Sequence, residues 1–321
     1  MKKIEMAKGA KKILELCGNV KKGDRVLIVT DTGIEWSITE SLAIAARAAE
    51  AEVAVVLTLP GEKPGEEPSP MVASAMLGAD VILSPTTRTI YHSVAAGKAL
   101  EKGARLLSLT EITEKILISG GIDADFIGLQ PVVEKVKELF GKGKRAHITT
   151  EAGTDLWVNM EGRPAHACSG LCHHPGDKLG IPEVEVFIAP VENDTNGILV
   201  VDACIAGIGR VETPVTIKIE KGRAVSITGG SEAERLKNIL RETGEEKAYI
   251  IAEFALGLND KARVIGDIIE DEGAYGTGHF AFGNNVHFDG QNDADLHLDM
   301  VYWHPTVEID GAVIMKNGVL E

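Results

Sequence analysis

The first strand of the chain is predicted at residues 25–31, where RVLIVTD forms a short apolar run after a KKGD turn. Similar apolar runs recur further on: VAVVLTL at 53–59, DVILSP at 80–85, ARLLSL at 104–109 and AHITTE at 146–151. Helical patterns are found at 4–17, 37–50 and 128–141. Strands without polar alternation are typical of a parallel sheet covered by helices on both faces. Residues 1–152 are therefore predicted to form an open parallel α/β sandwich domain.

The character of the sequence changes after residue 152. Gly becomes frequent, and strand-like runs follow one another, among them VEVFIAP, GILVVDACI, VTIKIEKG and RAVSIT. One clear helix, SEAERLKNILRET at 231–243, interrupts them. Residues 153–321 are predicted to form a mostly β domain, and this part of the chain holds the candidate metal ligands.

Composition and charge exclude several function classes. The 321 residues include 33 Lys and Arg against 48 Asp and Glu, a net charge of −15 that repels phosphate backbones. No run approaches a membrane span, and the Lys-containing N-terminus has no apolar signal core. With only four cysteines, we expect a reduced, cytoplasmic protein that binds neither nucleic acid nor membrane.

Familiar cofactor motifs fail in their context. The first strand ends in TDTG, and Gly207-Ile-Gly209 lies between two strands, whereas a dinucleotide fingerprint needs a strand before it and a helix after it. Cys168-Ser-Gly-Leu-Cys172-His-His is a single knuckle, whereas structural zinc sites usually pair two. We interpret it as a loop with incidental thiols.

The strongest chemical signal is Asp295-Leu-His297-Leu-Asp299-Met, in which polar and apolar residues alternate. In a strand, this alternation places His297 and Asp299 on one face, where they could hold one cation. The alternative is a solvated strand face. The second H-x-D, His287-Phe-Asp289, lies in a turn-rich segment and is not taken as a ligand pair.

Three further residues complete a candidate site. Glu253 interrupts the apolar run AYIIAEFALG, where a buried carboxylate needs a cation or a donor network. Glu185 lies in PEVEVFIAP, although Glu183 and Glu185 could both face water on an edge strand. His279 lies among glycines in GTGHFAFG, which suit an active-site loop. The set could hold two divalent ions, or a single ion through His279, His297 and Asp299.

These residues, in this order, resemble the metallo-aminopeptidase family of aminopeptidase T and aminopeptidase S, which is leucyl aminopeptidase-like. The segments PEVEVFIAP, EFALG, HFAFG and HLDM match the family's motifs, as does the closing stretch VEIDGAVIMKNG. The resemblance implies that five residues are metal ligands: Glu185, Glu253, His279, His297 and Asp299. It also implies two divalent metals bridged by a carboxylate, a homodimer, and release of N-terminal residues from small peptides.

Two further residues are catalytic candidates. A tyrosine that follows the family's first metal-binding His has no match in GNNVH, where His287 is a candidate to stabilise the oxyanion in its place. Glu272, in the run Glu270-Asp271-Glu272, is a candidate general base. The alternatives are that this run is a solvated helix end or loop, and that Glu185 is the base.

A related branch also resembles the chain: the 2,5-dihydroxypyridine ring-cleaving dioxygenases, through EGRPAHACSG, GTGHFAFGNN and PTVEIDG. That branch implies a single non-haem Fe(II) held by two His and one Asp. The primary hypothesis is a metal-dependent hydrolase of aminopeptidase type with two Zn, Co or Mn ions, acting on a small-molecule or peptide substrate. The alternatives are an Fe(II) dioxygenase, favoured by the missing tyrosine, and a metal-binding protein without turnover.

Overall fold

The computed structural model describes residues 2–63 and 65–321, which divide into two compact units. The first unit contains the residues up to Gly128 together with Cys168–Glu183, and the second contains Leu129–Ala167 and Val184–Glu321. The chain thus passes between the units at residues 128, 167 and 183. This division corrects the single boundary predicted after residue 152, because local patterns do not show which sheet a strand joins.

The first unit is built on a parallel sheet of five strands. In sheet order, and numbered along the chain, they are β2 (Glu52–Thr58), β1 (Arg25–Asp31), β3 (Val81–Ser84), β4 (Arg105–Ser108) and β8 (Lys178–Gly180). Its helices are α1 (Lys2–Lys12), α2 (Trp36–Ala48), α3 (Pro70–Met76), α4 (Val94–Glu101) and α5 (Glu114–Ile118). Strand β3 is buried along its whole length, as its continuous apolar pattern predicts. The α/β fold class is confirmed.

The second unit contains an eight-stranded sheet. Its strands, in order, are β14 (Arg223–Thr228), β13 (Val215–Glu220), β10 (Thr195–Val201), β6 (Asp155–Asn159), β5 (Arg145–Thr149), β18 (Thr306–Ile309), β19 (Ala312–Lys316) and β20 (Val319–Leu320). The strand predicted at 146–151 is β5, which pairs antiparallel with β6 and β18 and is not part of the parallel sheet. Its alternating burial explains this placement, since one face of an antiparallel sheet can remain in contact with solvent.

A seven-stranded sheet carries the candidate ligands. Its strands, in order, are β12 (Gly209–Arg210), β11 (Cys204–Ile205), β17 (His297–Trp303), β16 (Thr277–Gly283), β15 (Ile251–Gly257), β9 (Glu185–Ile188) and β7 (Ala165–Cys168). The remaining helices are α6 (Phe126–Lys142), α7 (Ser231–Glu242) and α8 (Ile268–Asp271). Every residue of β15 and of β16 is buried, so any polar side chain on these two strands must find its partners inside the protein.

The two faces of this sheet carry different chemistry. On one face, a stack of rings runs from Phe140 of α6 through Phe254 and Phe280 to Tyr302, with neighbouring centroids 5.1, 5.1 and 5.7 Å apart. A Cβ at Gly278 would lie 2.6 Å from the Tyr302 hydroxyl oxygen, so a residue without a side chain is required there. Because side chains alternate along strands, the residues next to these aromatic ones point to the opposite face, where the polar ligands lie.

No single described helix is long and apolar enough to cross a membrane. One bent pair, Glu114–Asp123 with Phe126–Lys142, meets the length and composition criteria jointly.

Candidate metal centre

Glu253 lies between the two histidines that the sequence singles out. Its carboxylate is buried in the middle of β15, and the two oxygens face different imidazoles. Oε1 lies 3.5 Å from Nε2 of His279, and Oε2 lies 3.2 Å from Nε2 of His297. Strand register explains the arrangement, because Ala281 pairs with both Glu253 and Asp299 and leaves room beside them.

The other predicted ligands complete two clusters around Glu253. Glu185 of β9 lies 3.6 Å from Nε2 of His279, and Asp299 of β17 lies 3.3 Å from Nε2 of His297. The ligand atoms of Glu185, Glu253 and His279 all lie within 4.8 Å of one another, as do those of Glu253, His297 and Asp299. Glu253 belongs to both clusters, so the five residues predicted as ligands converge on one centre.

Strand β9 places Glu185 inside the sheet. It pairs with β15, with Glu185 opposite Gly257, and the Glu185 side chain is buried. The alternative of an edge strand with Glu185 in water is therefore wrong.

A backbone contact fixes the orientation of His297. Its Nδ1 lies 2.7 Å from the carbonyl oxygen of Asn284, which can only accept a hydrogen bond. Nδ1 therefore carries a proton, and Nε2, which is directed at Glu253 and Asp299, is the nitrogen that could bind a cation. Such an outer hydrogen bond is the usual way to set the tautomer of a metal-binding histidine. Asn284 was not singled out in the sequence, although the Gly-Asn-Asn run at the end of β16 signals a turn.

The charges of the metal-free centre are balanced by protons. Burial alone raises the pKa of Glu253, but contacts with His279 and His297 outweigh it and lower the pKa to about 2. Burial likewise lowers the pKa of His279, and Glu253 and Glu185 outweigh it and raise the pKa to about 9. For His297, Asp299 and Glu253 overcome burial and raise the pKa well above the usual value.

This donor set fits divalent cations. Imidazole nitrogens and carboxylate oxygens suit Zn, Co, Mn and Fe, and a bound cation would replace the protons that otherwise neutralise the carboxylates. The three residues proposed to hold a single ion, His279, His297 and Asp299, do not form one cluster among the described residues. His279 and Asp299 share a cluster with Glu272, whereas His297 and Asp299 share one with Glu253.

Glu272 lies at the centre rather than on a solvated run. Its carboxylate oxygen, the ligand nitrogen of His279 and an oxygen of Asp299 lie within 4.8 Å of one another. The preceding Glu270 and Asp271 are fully buried. The interpretation of this acidic run as a solvated helix end is therefore wrong.

Buried carboxylates organise the loop that precedes Glu272. Glu270 accepts a hydrogen bond from the backbone N–H of Arg263, and Asp271 accepts from the N–H groups of Ile265 and Gly266 at 2.7 and 2.9 Å. Charged acceptors make strong hydrogen bonds with backbone donors, so these carboxylates fix the loop at residues 263–266 against α8. Backbone donors leave no trace in the sequence pattern, which explains why this role was not predicted.

His287 is placed differently from the other candidates. It lies in the single turn Val286–Phe288 with an exposed side chain, and among the residues that the structure describes it belongs to none of the ligand clusters. Its role in oxyanion stabilisation stays a prediction. The segment His287-Phe-Asp289 lies in and just after this turn and is not part of a strand.

The comparisons with known proteins agree with both resemblances. A family model described as NicX, 2,5-dihydroxypyridine 5,6-dioxygenase, matches residues 5–321. The 2,5-dihydroxypyridine 5,6-dioxygenase of Pseudomonas putida is 24% identical over 261 residues, which cover 76% of this chain and 71% of that protein. Aminopeptidase AmpS of Bacillus subtilis is 25% identical over 263 residues, which cover 71% of this chain and 62% of that protein.

Two solved structures share the fold. The dioxygenase from Pseudomonas putida has a TM-score of 0.84 and 21% identity, covering 99% of this chain and 97% of that one. AmpT from Thermus thermophilus has a TM-score of 0.73 and 20% identity, and all of both chains are covered. The resemblance to the aminopeptidases and to the dioxygenase branch is confirmed, and these relatives are enzymes. The chain belongs to the NicX family, whose model is that of 2,5-dihydroxypyridine 5,6-dioxygenase.

Proposed function

We propose that the protein is a metal-dependent hydrolase that releases N-terminal residues from small peptides with two divalent cations. The single observation that carries this proposal is the position of Glu253, whose two oxygens face two different imidazoles in two ligand clusters. A carboxylate in this position is suited to bridge two cations. Two clusters that share one carboxylate exceed what a single cation requires.

Charge balance supports the same stoichiometry. Among the described residues, the ligand groups that contain His279 or His297 hold four carboxylates, namely Glu185, Glu253, Glu272 and Asp299. Their charge equals that of two divalent cations, whereas one cation would leave an excess of buried negative charge, which is costly. Bound there, the cations would polarise a carbonyl group and lower the pKa of a water molecule.

Glu272 is the best placed general base. It is partly exposed, whereas Glu185 is buried within a ligand cluster beside His279. A base must lie within reach of the water whose proton it accepts and then pass that proton to the leaving amine. Glu272 meets the first condition, since it lies against both His279 and Asp299.

Metal stoichiometry and a peptide-like substrate test the proposal together. Protein purified without chelator should contain two Zn, Co or Mn ions per chain and should hydrolyse leucine p-nitroanilide. Glu272→Gln should lower kcat by about 100-fold or more while metal content changes little. Glu234→Gln is the matched control, because Glu234 lies on the exposed surface of α7. One ion per chain without anilide cleavage would contradict the proposal.

A second candidate is an Fe(II) ring-cleaving dioxygenase. The match of the dioxygenase family model to residues 5–321 favours it, as does the absence of the tyrosine expected beside His287. One iron per chain and oxygen uptake with 2,5-dihydroxypyridine would support this reaction. If the protein binds metal but acts on neither leucine p-nitroanilide nor 2,5-dihydroxypyridine, the result would indicate a metal-binding protein without turnover.

A further inference from the structure

Aromatic side chains stand beside one end of the metal centre. The ring of Phe288 lies edge-on to the imidazole of His297, with centroids 5.9 Å apart and planes at 87°. The ring centroid of Phe187 of β9 lies 5.5 Å from that of Phe288, with the ring planes at 80°. It lies 5.4 Å from that of His166 of β7, with the planes at 28°. We call His166, Phe187 and Phe288 the aromatic wall.

The aromatic wall lies beside the solvent-exposed end of the metal centre. The side chain of His297 is 34% exposed and that of Asp299 is 15% exposed, whereas His279 and Glu253 are 1% and 7% exposed. A ligand that reaches the centre therefore arrives at the His297 end, next to Phe288. All three rings of the wall are only half-buried, so each presents a face or an edge to such a ligand.

A polar network holds the wall in place. Asp289 follows Phe288 in a left-handed conformation with φ of 70°, and its carboxylate lies 2.9 Å from Nε2 of His166. Arg163 donates a hydrogen bond of 2.6 Å to the backbone oxygen of Asp289 and forms an ion pair with Glu192. Glu192 also accepts from the side-chain amide of Asn285, next to the turn. The turn that carries Phe288 is thus tied to the region that carries His166.

We propose that the aromatic wall is a specificity subsite that binds an aromatic ring of a substrate held at the metal centre. Aromatic rings pack favourably at edge-to-face angles, so the wall can accept a further ring. Burial of that ring would contribute strongly to the free energy of binding. The inference rests on the proposed metal centre and narrows its substrate class. For the peptidase reaction, the ring is the side chain of an aromatic N-terminal residue.

Two metal-chelating probes test the subsite without turnover. Acetohydroxamate and benzohydroxamate share one chelating group, and only the second carries a ring. Cobalt-loaded protein is titrated with each, and the visible absorption of the cobalt reports binding. For each protein, the preference is the Kd of acetohydroxamate divided by the Kd of benzohydroxamate. This ratio should be about tenfold larger in the parent than in Phe187→Ala or Phe288→Ala. Both variants should bind acetohydroxamate like the parent.

Trp157→Ala is the matched control, since Trp157 is an exposed aromatic residue of β6 in the other sheet of this unit. It should keep the parental preference. If both alanine variants bind cobalt and still prefer benzohydroxamate as strongly as the parent does, the proposal of an aromatic subsite is wrong and the proposal of a metal centre stands. Failure to retain cobalt would overturn the metal centre, and the subsite with it.

Discussion

Glu253 occupies a strand position where every neighbour along the chain is apolar and every residue is buried. A carboxylate without compensation at such a place would cost several kcal/mol. In the metal-free protein, the compensation comes from His279 and His297 at 3.5 and 3.2 Å. The same two imidazoles are the ligands that a pair of cations would share with Glu253, so this residue links stability to metal binding.

We expect Glu253→Gln to lose the second cation while keeping the fold. The amide has the shape of the carboxylate but only one acceptor oxygen and no charge. Metal content should fall from two ions per chain, and the affinity of the remaining ion should fall by more than the roughly 10–100-fold typical for loss of an outer partner. Elemental analysis after dialysis measures this, with Glu234→Gln as the control. Two ions retained at parental affinity would refute the bridging role.

Tyr302 offers a second test at this scale. Its hydroxyl is buried on the aromatic face of the sheet and has no hydrogen-bond partner among the described residues, and burial raises its pKa. An unsatisfied buried hydroxyl costs about 1–3 kcal/mol. Tyr302→Phe should therefore leave the free energy of unfolding unchanged or raise it.

The matched control is Tyr275→Phe. The hydroxyl of Tyr275 accepts a hydrogen bond from the backbone N–H of Leu320 at 3.0 Å, so its removal should cost about 0.5–1.5 kcal/mol. Urea denaturation measures both variants. A larger loss for Tyr302→Phe than for Tyr275→Phe would mean that the Tyr302 hydroxyl has a partner, such as a buried water.

Among the structural elements, the segment from Asn259 to Glu272 connects strand β15 with the candidate base. Buried Glu270 and Asp271 accept hydrogen bonds from the backbone N–H groups of residues 263, 265 and 266, so the loop before the short helix α8 is tied to the helix. Glu272 follows directly and reaches His279 and Asp299. The rigidity of this element sets the position of the base, since misplacement of a catalytic group by 1 Å is costly.

We expect Asp271→Asn to disturb this element. The loss of a charged acceptor for two N–H groups should lower the free energy of unfolding by about 1.5–3 kcal/mol. It should also change the visible spectrum of cobalt-loaded protein, because Glu272 moves relative to His279 and Asp299. Asp260→Asn is the control in the same loop, where the carboxylate is exposed and pairs with Lys261. Parental stability and spectrum in Asp271→Asn would show that the loop does not depend on this carboxylate.

For the molecule as a whole, the sequence predicted what is local. Apolar runs such as RVLIVTD revealed the parallel sheet, and the alternation around His297 and Asp299 placed two ligands on one face. Glu253 was found because a charge interrupts an apolar strand. The pairing of β5 and the return of residues 168–183 to the first unit were missed, because they depend on contacts distant in the chain.

The features of the site that the sequence did not predict also depend on contacts that local patterns do not show. The contact of Asn284 with His297 and the buried state of Glu270 and Asp271 depend on backbone groups, which carry no residue-specific signal. The aromatic wall draws its members from β7, β9 and a turn, which are distant in the chain and meet only in the folded structure.

The stability of the whole chain should depend on pH in opposite senses on the two sides of neutrality. His279, with a pKa raised from 6.5 to about 9, stabilises the metal-free fold below pH 6.5, and this contribution is lost as pH rises through 9. Glu253, with a pKa lowered from 4.5 to about 2, stabilises it above pH 4.5, and this contribution is lost as pH falls through 2.

Metal-free protein should therefore show a falling Tm between pH 6.5 and 9, measured by thermal unfolding in chelator. Cation-loaded protein should show a much weaker dependence over the same range, because the cations replace the protons. Equal slopes in the two samples would refute the exchange of protons for cations.

Anomalous diffraction from crystals grown with cobalt tests the metal centre most directly. We predict two anomalous peaks on either side of the Glu253 carboxylate, one beside Glu185 and His279 and the other beside His297 and Asp299. A single peak, or peaks away from these five side chains, would contradict a two-cation centre.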